Sequence, residues 1–247
     1  MGDRGWALVT GAERRIGRTL ALCVAAAGYD VLAHARTAEK AEDTVDAVRR
    51  GGQKALTVAG DLSDPDVLPR LIAAGPSPPS LLVNCASLFA PDEARTFTAA
   101  GLDAAYAANL RAPLLLAQAF ANALPEDQRG AIVNILDQRI WRLTPLCFTY
   151  TITKSALWTA TQTLAQALAP RVRVNAIGPG PTLASIHQTP AAFAAEAAAT
   201  PLGAPVDPEE VAQALLFLIN APSVTGQMIA VDGGQHLAWR TPDVTGE

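Results

Sequence analysis

The chain has 247 residues and a formal net charge of −4; half of its residues are hydrophobic and 17% are charged. This length and hydrophobic content allow a large buried core, and the negative charge argues against nucleic acid as an electrostatic partner. No apolar stretch approaches the roughly 18–20 residues of a membrane span, and the N-terminus lacks a signal-peptide pattern. The three cysteines have no metal-binding or CxxC spacing. We therefore expect a soluble cytoplasmic protein without a membrane partner or a bound metal.

Short apolar segments alternate with longer segments of helical periodicity along the chain. Gly28, the pair Gly51–Gly52 and Pro170 mark the ends of three of the helices. In chain order, the predicted elements are a strand at 6–10, a helix at 16–27, a strand at 30–34, a helix at 38–50, a strand at 55–59, a helix from about residue 64, a strand at 81–84, a helical region at 98–124 interrupted by Pro113, a strand at 131–136, a helix at 149–168, a strand at 172–177, a helix from 207 and a strand at 228–231.

The seven predicted strands are apolar throughout and most are separated by helices. This pattern is typical of a parallel sheet that is covered by helices on both faces. One unbroken series predicts a single doubly wound α/β domain. Such sheets bind ligands beyond the carboxyl ends of their strands, so the candidate functional residues are those that follow each strand.

The first two predicted strands end in features of a dinucleotide site. Gly11 follows the first strand and Gly17 lies in the opening turn of the next helix, where backbone N–H groups can bind a pyrophosphate. Glycines at such junctions are also common in plain tight turns. The second strand leads through His34 to Arg36 and Thr37 with no acidic residue for a ribose 2′-hydroxyl. Unless Arg36 is merely a solvated loop residue, it suits a 2′-phosphate and favours NADP over NAD.

Polar and small residues also follow the third and fourth strands. Asp61 and Leu62 end the third strand, and Asp61 is a candidate to accept a hydrogen bond from an adenine amino group or to be a plain turn residue. Asn84, Ala86 and Ser87 follow the fourth strand, and the small Ala86 lets a flat cofactor approach. Both sets lie at the predicted binding edge.

A second group of residues points to proton transfer. Tyr150 and Lys154 stand four positions apart on a predicted helix and therefore share one face. An ammonium beside a phenol stabilises the phenolate, so we expect a lowered tyrosine pKa that suits proton donation during hydride transfer. A chance surface pair is the alternative. Asp137 ends the fifth strand and Asn109 lies in the interrupted helix, so four polar groups can converge.

From residue 6 to about 237 the chain resembles the short-chain dehydrogenases/reductases. The resemblance rests on TGAERRIG (10–17), GDL (60–62), NCAS (84–87), Asn109, YTITK (150–154), RVNAIGPG (173–180) and VTGQMIAVDGG (224–234). It implies a Rossmann-type domain over 1–247, with a cofactor half at about 1–130 and a catalytic half at about 131–240. It also implies a nicotinamide cofactor, catalysis by Tyr150 and Lys154 with Asn109 supporting a proton relay, and a homotetramer.

Three departures from the family pattern indicate a subgroup. Arg15 replaces the middle glycine of TGxxxGxG, Asp137 replaces the serine thirteen residues before the tyrosine, and NNAG reads NCAS, with Ser87 in place of the glycine and Phe89 soon after. These features, with GYDVLAHAR at 28–36, resemble the pteridine reductases, including the bacterial dihydromonapterin reductases.

That resemblance implies a pterin ring between the nicotinamide and Phe89, with Ser87 at its polar edge and Asp137 with Tyr150 near the C=N bond. An ionised aspartate is an acceptor and suits a ring that carries N–H donors. Arg15 would reach both a cofactor phosphate and the pterin oxygen. Alternatively, Asp137 caps the following turn or pairs with a nearby arginine (139 or 142), and Phe89 is ordinary packing.

The sequence therefore predicts an NADPH-dependent reductase of dihydropterins. An NADPH-dependent reductase of ketones or 3-oxoacyl groups and a non-catalytic NADP-binding protein are the alternatives. The family builds a substrate lid at 182–200, a segment whose composition names no ligand, and Arg14 is expected to face solvent. The predicted cofactor-binding residues are Gly11, Arg15, Ile16, Gly17, His34, Arg36, Thr37, Asp61, Leu62, Asn84, Ala86, Ser87, Lys154, Pro179 and Gly180.

Overall fold

The computed structural model describes residues 4–239, and within them seven strands form one sheet in the order β3-β2-β1-β4-β5-β6-β7. All six neighbouring pairs are parallel. The strands are β1 (Trp6–Val9), β2 (Asp30–Ala35), β3 (Ala55–Ala59), β4 (Leu81–Asn84), β5 (Gly130–Ile135), β6 (Val172–Pro179) and β7 (Met228–Val231). The order reverses between β1 and β4, as in doubly wound sheets, and the predicted α/β fold class is confirmed.

Helices cover both faces of this sheet. None of those within residues 4–239 is long and apolar enough to cross a membrane. The α-helices are α1 (Arg15–Ala26), α2 (Ala38–Arg50), α3 (Leu68–Ile72), α4 (Ala99–Tyr106), α5 (Ala112–Ala123), α6 (Phe148–Leu168), α7 (Pro190–Ala198) and α8 (Pro208–Asn220).

Two hydrophobic clusters hold these layers together. One packs α1, α2 and α8 on one face of the sheet, and the other packs α3, α5 and the end of α6 on the opposite face. Alternation of side chains along a strand serves both layers: Val9 belongs to the first cluster and its neighbour Leu8 to the second, both fully buried. Each such side chain contributes about 1.5–3 kcal/mol on burial, which explains why the central strands are apolar throughout.

The helix predicted from about residue 64 begins later, at Leu68. The preceding residues form turns in which aspartates accept backbone hydrogen bonds: Asp61 from the N–H of Ser63 at 2.8 Å and Asp64 from the N–H of Asp66 at 3.0 Å. Such side-chain contacts compete with helix formation. Consequently Pro69, and not Pro65, occupies the first turn of α3.

The interruption predicted at Pro113 is present as a π-helical segment, Ala107–Arg111, between α4 and α5. Proline has no N–H and cannot bond to the carbonyl group four residues earlier, which is that of Asn109. The helix instead widens, and the N–H of Ala112 bonds to the carbonyl of Ala107, five residues back. This widened turn carries Asn109, which is fully buried.

Candidate active site

The turn between β1 and α1 needs both of its glycines. Gly11 has a φ of +66°, and a Cβ atom there would lie 3.0 Å from the Cα of Ala86. A Cβ on Gly17 would lie 2.0 Å from the carbonyl oxygen of Gly11, a distance that no side chain can occupy. The backbone of α1 therefore approaches β1 more closely than any other residue would allow.

The N-terminus of α1 is left open to an anion. Its N-cap residue, Arg14, makes no side-chain capping bond, and the first turn contains no acidic residue. The first N–H groups of a helix lack partners within it and carry partial positive charge. Ile16 and Gly17 lie in this turn, which fits the pyrophosphate of a dinucleotide. The side chain of Arg14 is 70% exposed, as expected.

Arg15 occupies a backbone conformation that normally favours glycine, with a φ of 54°. This explains why the family pattern has glycine at that position. Its guanidinium group donates to the carbonyl oxygens of Ala184 at 2.8 Å and Leu183 at 2.9 Å. The side chain thus joins the glycine turn to the segment after β6, a contact that the sequence did not predict.

Arg36 and Asp61 meet at the ends of β2 and β3. The Nε atom of Arg36 lies 3.8 Å from the Asp61 carboxylate, and the arginine side chain is 73% exposed. Hydrogen bonds from Ser63 lower the pKa of Asp61. An exposed pair of this kind contributes little to stability, so the guanidinium group is available to a phosphate. Thr37 is the N-cap residue of α2.

Three of the residues predicted to bind the cofactor turn their side chains into the interior of the protein. The Nδ1 atom of His34 accepts from the N–H of Gly11 at 3.3 Å, its Nε2 atom lies 3.1 Å from the carbonyl oxygen of Gly60, and burial lowers its pKa. Asn84 donates to Asn134 at 2.9 Å inside the sheet, and Leu62 packs in the core. Cofactor binding at these three positions stays a prediction, and it would involve their backbone.

The ends of β4 and β6 add small residues to the same edge. The N–H of Ala86 donates to the hydroxyl oxygen of Thr10 at 3.1 Å, which anchors the β4 loop on β1. Pro179 ends β6, and a Cβ on Gly180 would lie 2.6 Å from the Cα of Asp232. Gly180 is therefore required for β6 and the loop after β7 to pass each other.

Asp137 and Tyr150 form the centre of the proposed catalytic group. The phenol of Tyr150 donates to Oδ2 of Asp137 at 3.0 Å. The other carboxylate oxygen accepts from the N–H of Arg139 at 2.8 Å, and the Arg139 guanidinium lies 3.6 Å from Oδ2. Asp137 therefore caps the short turn that follows it, pairs with Arg139 and also contacts the tyrosine.

The ionisation of these groups differs from the sequence prediction. Burial, and next the charge of Asp137, raise the pKa of Tyr150 well above its ordinary value, whereas a lowered pKa was expected from Lys154. Burial also raises the pKa of Asp137 despite the opposing effect of Arg139. The prediction was wrong for the free protein because desolvation and the charge of Asp137 disfavour the phenolate more than the Arg139 guanidinium favours it. Tyr150 therefore retains its proton.

Lys154 lies beneath the tyrosine. Its Nζ atom is 5.7 Å from the centre of the Tyr150 ring and donates to the carbonyl oxygen of Ile135 at 2.6 Å. Burial lowers its pKa to about 8. A buried ammonium with one short bond retains two further donors, which can serve a ribose hydroxyl.

Phe89 lies against Tyr150. The two rings are 4.9 Å apart between centres, in an edge-to-face arrangement, and the guanidinium carbon of Arg139 is 5.4 Å from the centre of the Phe89 ring. Phe89 therefore packs beside the candidate proton donor, and its contact with a substrate stays a prediction. Arg139 was considered from the sequence only as a partner for Asp137, but its guanidinium group contacts both Asp137 and the ring of Phe89.

Asn109 holds the loop that carries Ser87 and Phe89. Its Oδ1 atom accepts from the hydroxyl of Ser87 at 3.1 Å and from the N–H of Leu88 at 2.7 Å. Its Nδ2 atom donates to the carbonyl oxygen of Leu88 at 2.8 Å and to Thr153 on α6 at 3.2 Å. The structure thus brings the predicted chemical residues together, with Asn109 as the link between loop and helix.

Asp92 is a residue of this region that sequence reasoning missed. Its carboxylate accepts from the N–H of Thr149 at 3.1 Å and from the Thr149 hydroxyl at 2.5 Å. The partners are 57 positions apart in the sequence, so no local motif indicates the contact.

Comparison with known proteins identifies the family. A family model described as enoyl-(acyl carrier protein) reductase matches residues 11–236. FolM alternative dihydrofolate reductase 1 from Brucella canis, solved with NADP, superimposes with a TM-score of 0.93 at 44% identity, covering 98% of this chain and 97% of that one.

Two further relatives agree. A solved short chain dehydrogenase/reductase family protein gives a TM-score of 0.85 at 34% identity over 96% of this chain and 99% of that one. L-xylulose reductase from Bos taurus is 33% identical over 92% of this chain and 95% of its own length. The chain therefore belongs to the short-chain dehydrogenase/reductase family of oxidoreductases.

Proposed function

We propose that the protein is an NADPH-dependent reductase that reduces a C=N bond of a dihydropterin to give a tetrahydropterin. The observation that carries the proposal is the hydrogen bond from Tyr150 to the buried carboxylate of Asp137, next to the ring of Phe89. The 44% identity to a dihydrofolate reductase of the same fold supports a substrate of this chemical class.

The cofactor edge fits NADPH on structural grounds. The uncapped N-terminus of α1 fits the pyrophosphate, the exposed Arg36 fits the 2′-phosphate, and Lys154 is close enough to the tyrosine to bind a ribose there. Asp61 would face the adenine, and the small Ala86 would leave room for the cofactor to pass. When bound, NADPH supplies the hydride.

The residues of the chain control the proton. Tyr150 is protonated in the free protein and stands ready to donate to a ring nitrogen. Burial raises the pKa of Asp137, so this carboxylate takes up a proton more readily than an exposed aspartate does. The Tyr150–Asp137 pair can therefore deliver one proton and share the remaining charge, while the Lys154 ammonium limits the cost of forming phenolate.

Substrate recognition follows from the groups around this pair. The face of Phe89 offers a stacking surface to a flat ring, and the Ser87 hydroxyl oxygen, whose proton is donated to Asn109, can accept a hydrogen bond from its polar edge. A guanidinium group has five N–H donors, and Arg15 uses two of them on the carbonyl groups of 183 and 184. The remaining three can bind a cofactor phosphate or the pterin oxygen.

Carbonyl reduction is the second candidate. It is favoured by the 33% identity to L-xylulose reductase, which covers nearly all of both chains. A ketone oxygen needs a proton donor, which Tyr150 supplies, but a ketone group carries no N–H donor for the oxygens of Asp137. A pterin ring offers such donors, and this is the reason that we place the pterin first.

A substrate panel separates the two functions. We expect NADPH oxidation, measured by absorbance, with dihydrobiopterin, dihydromonapterin or dihydrofolate, and little with L-xylulose or a 3-oxoacyl thioester. Asp137→Ser is expected to lower pterin turnover, because a single shorter hydroxyl replaces the two carboxylate oxygens that accept from the ring N–H groups, and to improve ketone turnover. Turnover of ketones by the wild type without binding or reduction of any pterin would overturn the proposal.

Cofactor choice gives a separate prediction. Arg36→Ala is expected to weaken NADPH binding by about 10- to 100-fold, since hydrogen bonds to charged groups contribute about 1.5–3 kcal/mol, and to leave NADH binding within about twofold. Fluorescence titration of both cofactors measures this. Arg50→Ala, which removes an exposed arginine at the opposite end of α2, is the matched control. Equal losses for NADPH and NADH would exclude a 2′-phosphate contact.

A further inference from the structure

Asp92 belongs to the loop that carries Phe89, yet it completes a helix elsewhere in the chain. Helix α6 begins at Phe148, and its N-cap residue, Cys147, is in the left-handed conformation and makes no side-chain capping bond. The first N–H groups of the helix that bears Tyr150 therefore receive no cap from the adjacent sequence.

Asp92 satisfies two of these groups. Its carbonyl oxygen accepts from the N–H of Phe148 at 3.0 Å, and its carboxylate accepts from both the N–H and the hydroxyl of Thr149. Thr149 is fully buried, so without Asp92 its hydroxyl would need another partner. The neighbouring Glu93 pairs with Leu146 in an antiparallel bridge of the backbone. Together these contacts between residues 92–93 and 146–149 form a join between the Phe89 loop and the start of α6.

The join lies beside the reacting groups. Thr149 immediately precedes Tyr150, and Phe89 lies three residues before Asp92 and touches the Tyr150 ring edge to face. On its other side the same loop is held by Asn109 through Leu88. The Asp92–Thr149 contact is thus the second anchor of the loop that carries Phe89, and the two anchors together fix the distance between the Phe89 ring and the Tyr150 phenol.

We propose that Asp92 is a positioning residue for the reductase reaction: it holds the Phe89 loop on the first turn of α6 and so sets the place of Phe89 relative to Tyr150. The inference rests on the proposed proton-donating role of Tyr150 and applies to either substrate class. Misplacement of reacting groups by about 1 Å can cost roughly 100-fold in rate. The glycine turn before α1 and Arg36 at the end of β2, which are expected to bind the two phosphate groups of the cofactor, lie on other segments.

The test compares turnover with cofactor binding. Asp92→Ala is expected to lower kcat about 10- to 100-fold with the wild type's preferred substrate, to leave the Kd of NADPH within about twofold, and to speed amide hydrogen exchange in the first turn of α6. Asp92→Asn keeps the size and one acceptor oxygen, so it should recover part of the rate. Glu93→Gln, an exposed acid at the next position, is the control and should behave as wild type.

A double-mutant cycle adds a readout that general loosening would not produce. Asp92→Ala should cost much less in a Thr149→Val background than in the wild type, because the two changes remove the same contact. Additive losses, a kcat within about twofold of wild type in Asp92→Ala, or a parallel loss of NADPH affinity would overturn the inference. If Asp92→Ala does not fold, the double variant Asp92→Asn/Thr149→Val takes its place, and a full wild-type kcat in that variant would overturn the inference. A wild type that reduces no substrate would overturn the proposed function as well, whereas an active wild type that is insensitive at Asp92 would overturn this inference alone.

Discussion

Tyr150→Phe is expected to lower kcat by about 100- to 10,000-fold, the range typical for loss of a positioned general acid. The variant removes only the hydroxyl that donates to Asp137 at 3.0 Å and keeps the ring that contacts Phe89. Packing at the site is therefore preserved, and the loss reports the proton donor itself. Residual turnover would come from bound NADPH and from a protonated Asp137.

Single-turnover kinetics and NADPH titration measure this result. The Kd of NADPH should stay within about twofold of wild type, because the phenol contributes little to cofactor affinity. Tyr106→Phe removes the hydroxyl of an exposed tyrosine on α4 and should have no effect on kcat. Unchanged activity in Tyr150→Phe would show that Tyr150 is not the proton donor and would overturn the proposed function.

Gly17→Ala is expected to lower both the stability of the protein and its affinity for NADPH, because it alters the turn at the cofactor edge. The added Cβ would lie 2.0 Å from the carbonyl oxygen of Gly11, and backbone and not a flexible side chain would have to move. Overpacking typically costs about 1–3 kcal/mol and occasionally more, and we expect about 3 kcal/mol here. Displacement of the turn also moves the uncapped N–H groups of α1 away from the pyrophosphate.

Loss of two hydrogen bonds to a charged group, at about 1.5–3 kcal/mol each, should weaken NADPH binding by about 100-fold or more. Chemical denaturation gives the stability change, and calorimetric titration gives the affinity. Gly52→Ala is the matched control: Gly52 has a φ of +94°, and a Cβ added there would have no atom within 4 Å, so this variant carries backbone strain without overlap. If Gly17→Ala bound NADPH like Gly52→Ala, the close approach at Gly17 would not support the cofactor site.

Much of the fold followed from local sequence pattern. Apolar strands that alternate with helical segments predicted the parallel sheet, because burial on both faces excludes polar residues from the central strands. The spacing of Tyr150 and Lys154 predicted a shared helix face, and Pro113 predicted the interruption that carries Asn109. The late start of α3 was not predicted, because aspartates in turns satisfy the backbone groups that a helix would otherwise use.

Family motifs identified which residues meet at the site, but side-chain direction lay beyond them. His34 and Asn84 stand at strand ends and Leu62 follows β3, all near the predicted cofactor edge, yet the structure turns their side chains into the interior. A one-residue change of position along a strand reverses the face that a side chain occupies. A sequence motif therefore identifies the segment that borders the site, but it does not tell whether the side chain or the backbone of a residue faces the cofactor.

By itself, the sequence determined the fold class, the glycine turn, the Tyr150–Lys154 pair and the substitution of Asp137 for serine, because each depends on residue type and on spacing within a few turns of chain. Tertiary structure alone decided that Arg15 contacts the segment at 183–184, that Asp92 caps α6, and that Tyr150 keeps its proton. The first two contacts join segments far apart in the sequence, and chain folding alone brings such groups within hydrogen-bond distance. The third depends on burial, since removal from water, together with the charge of Asp137, disfavours the phenolate more strongly than the Arg139 guanidinium favours it.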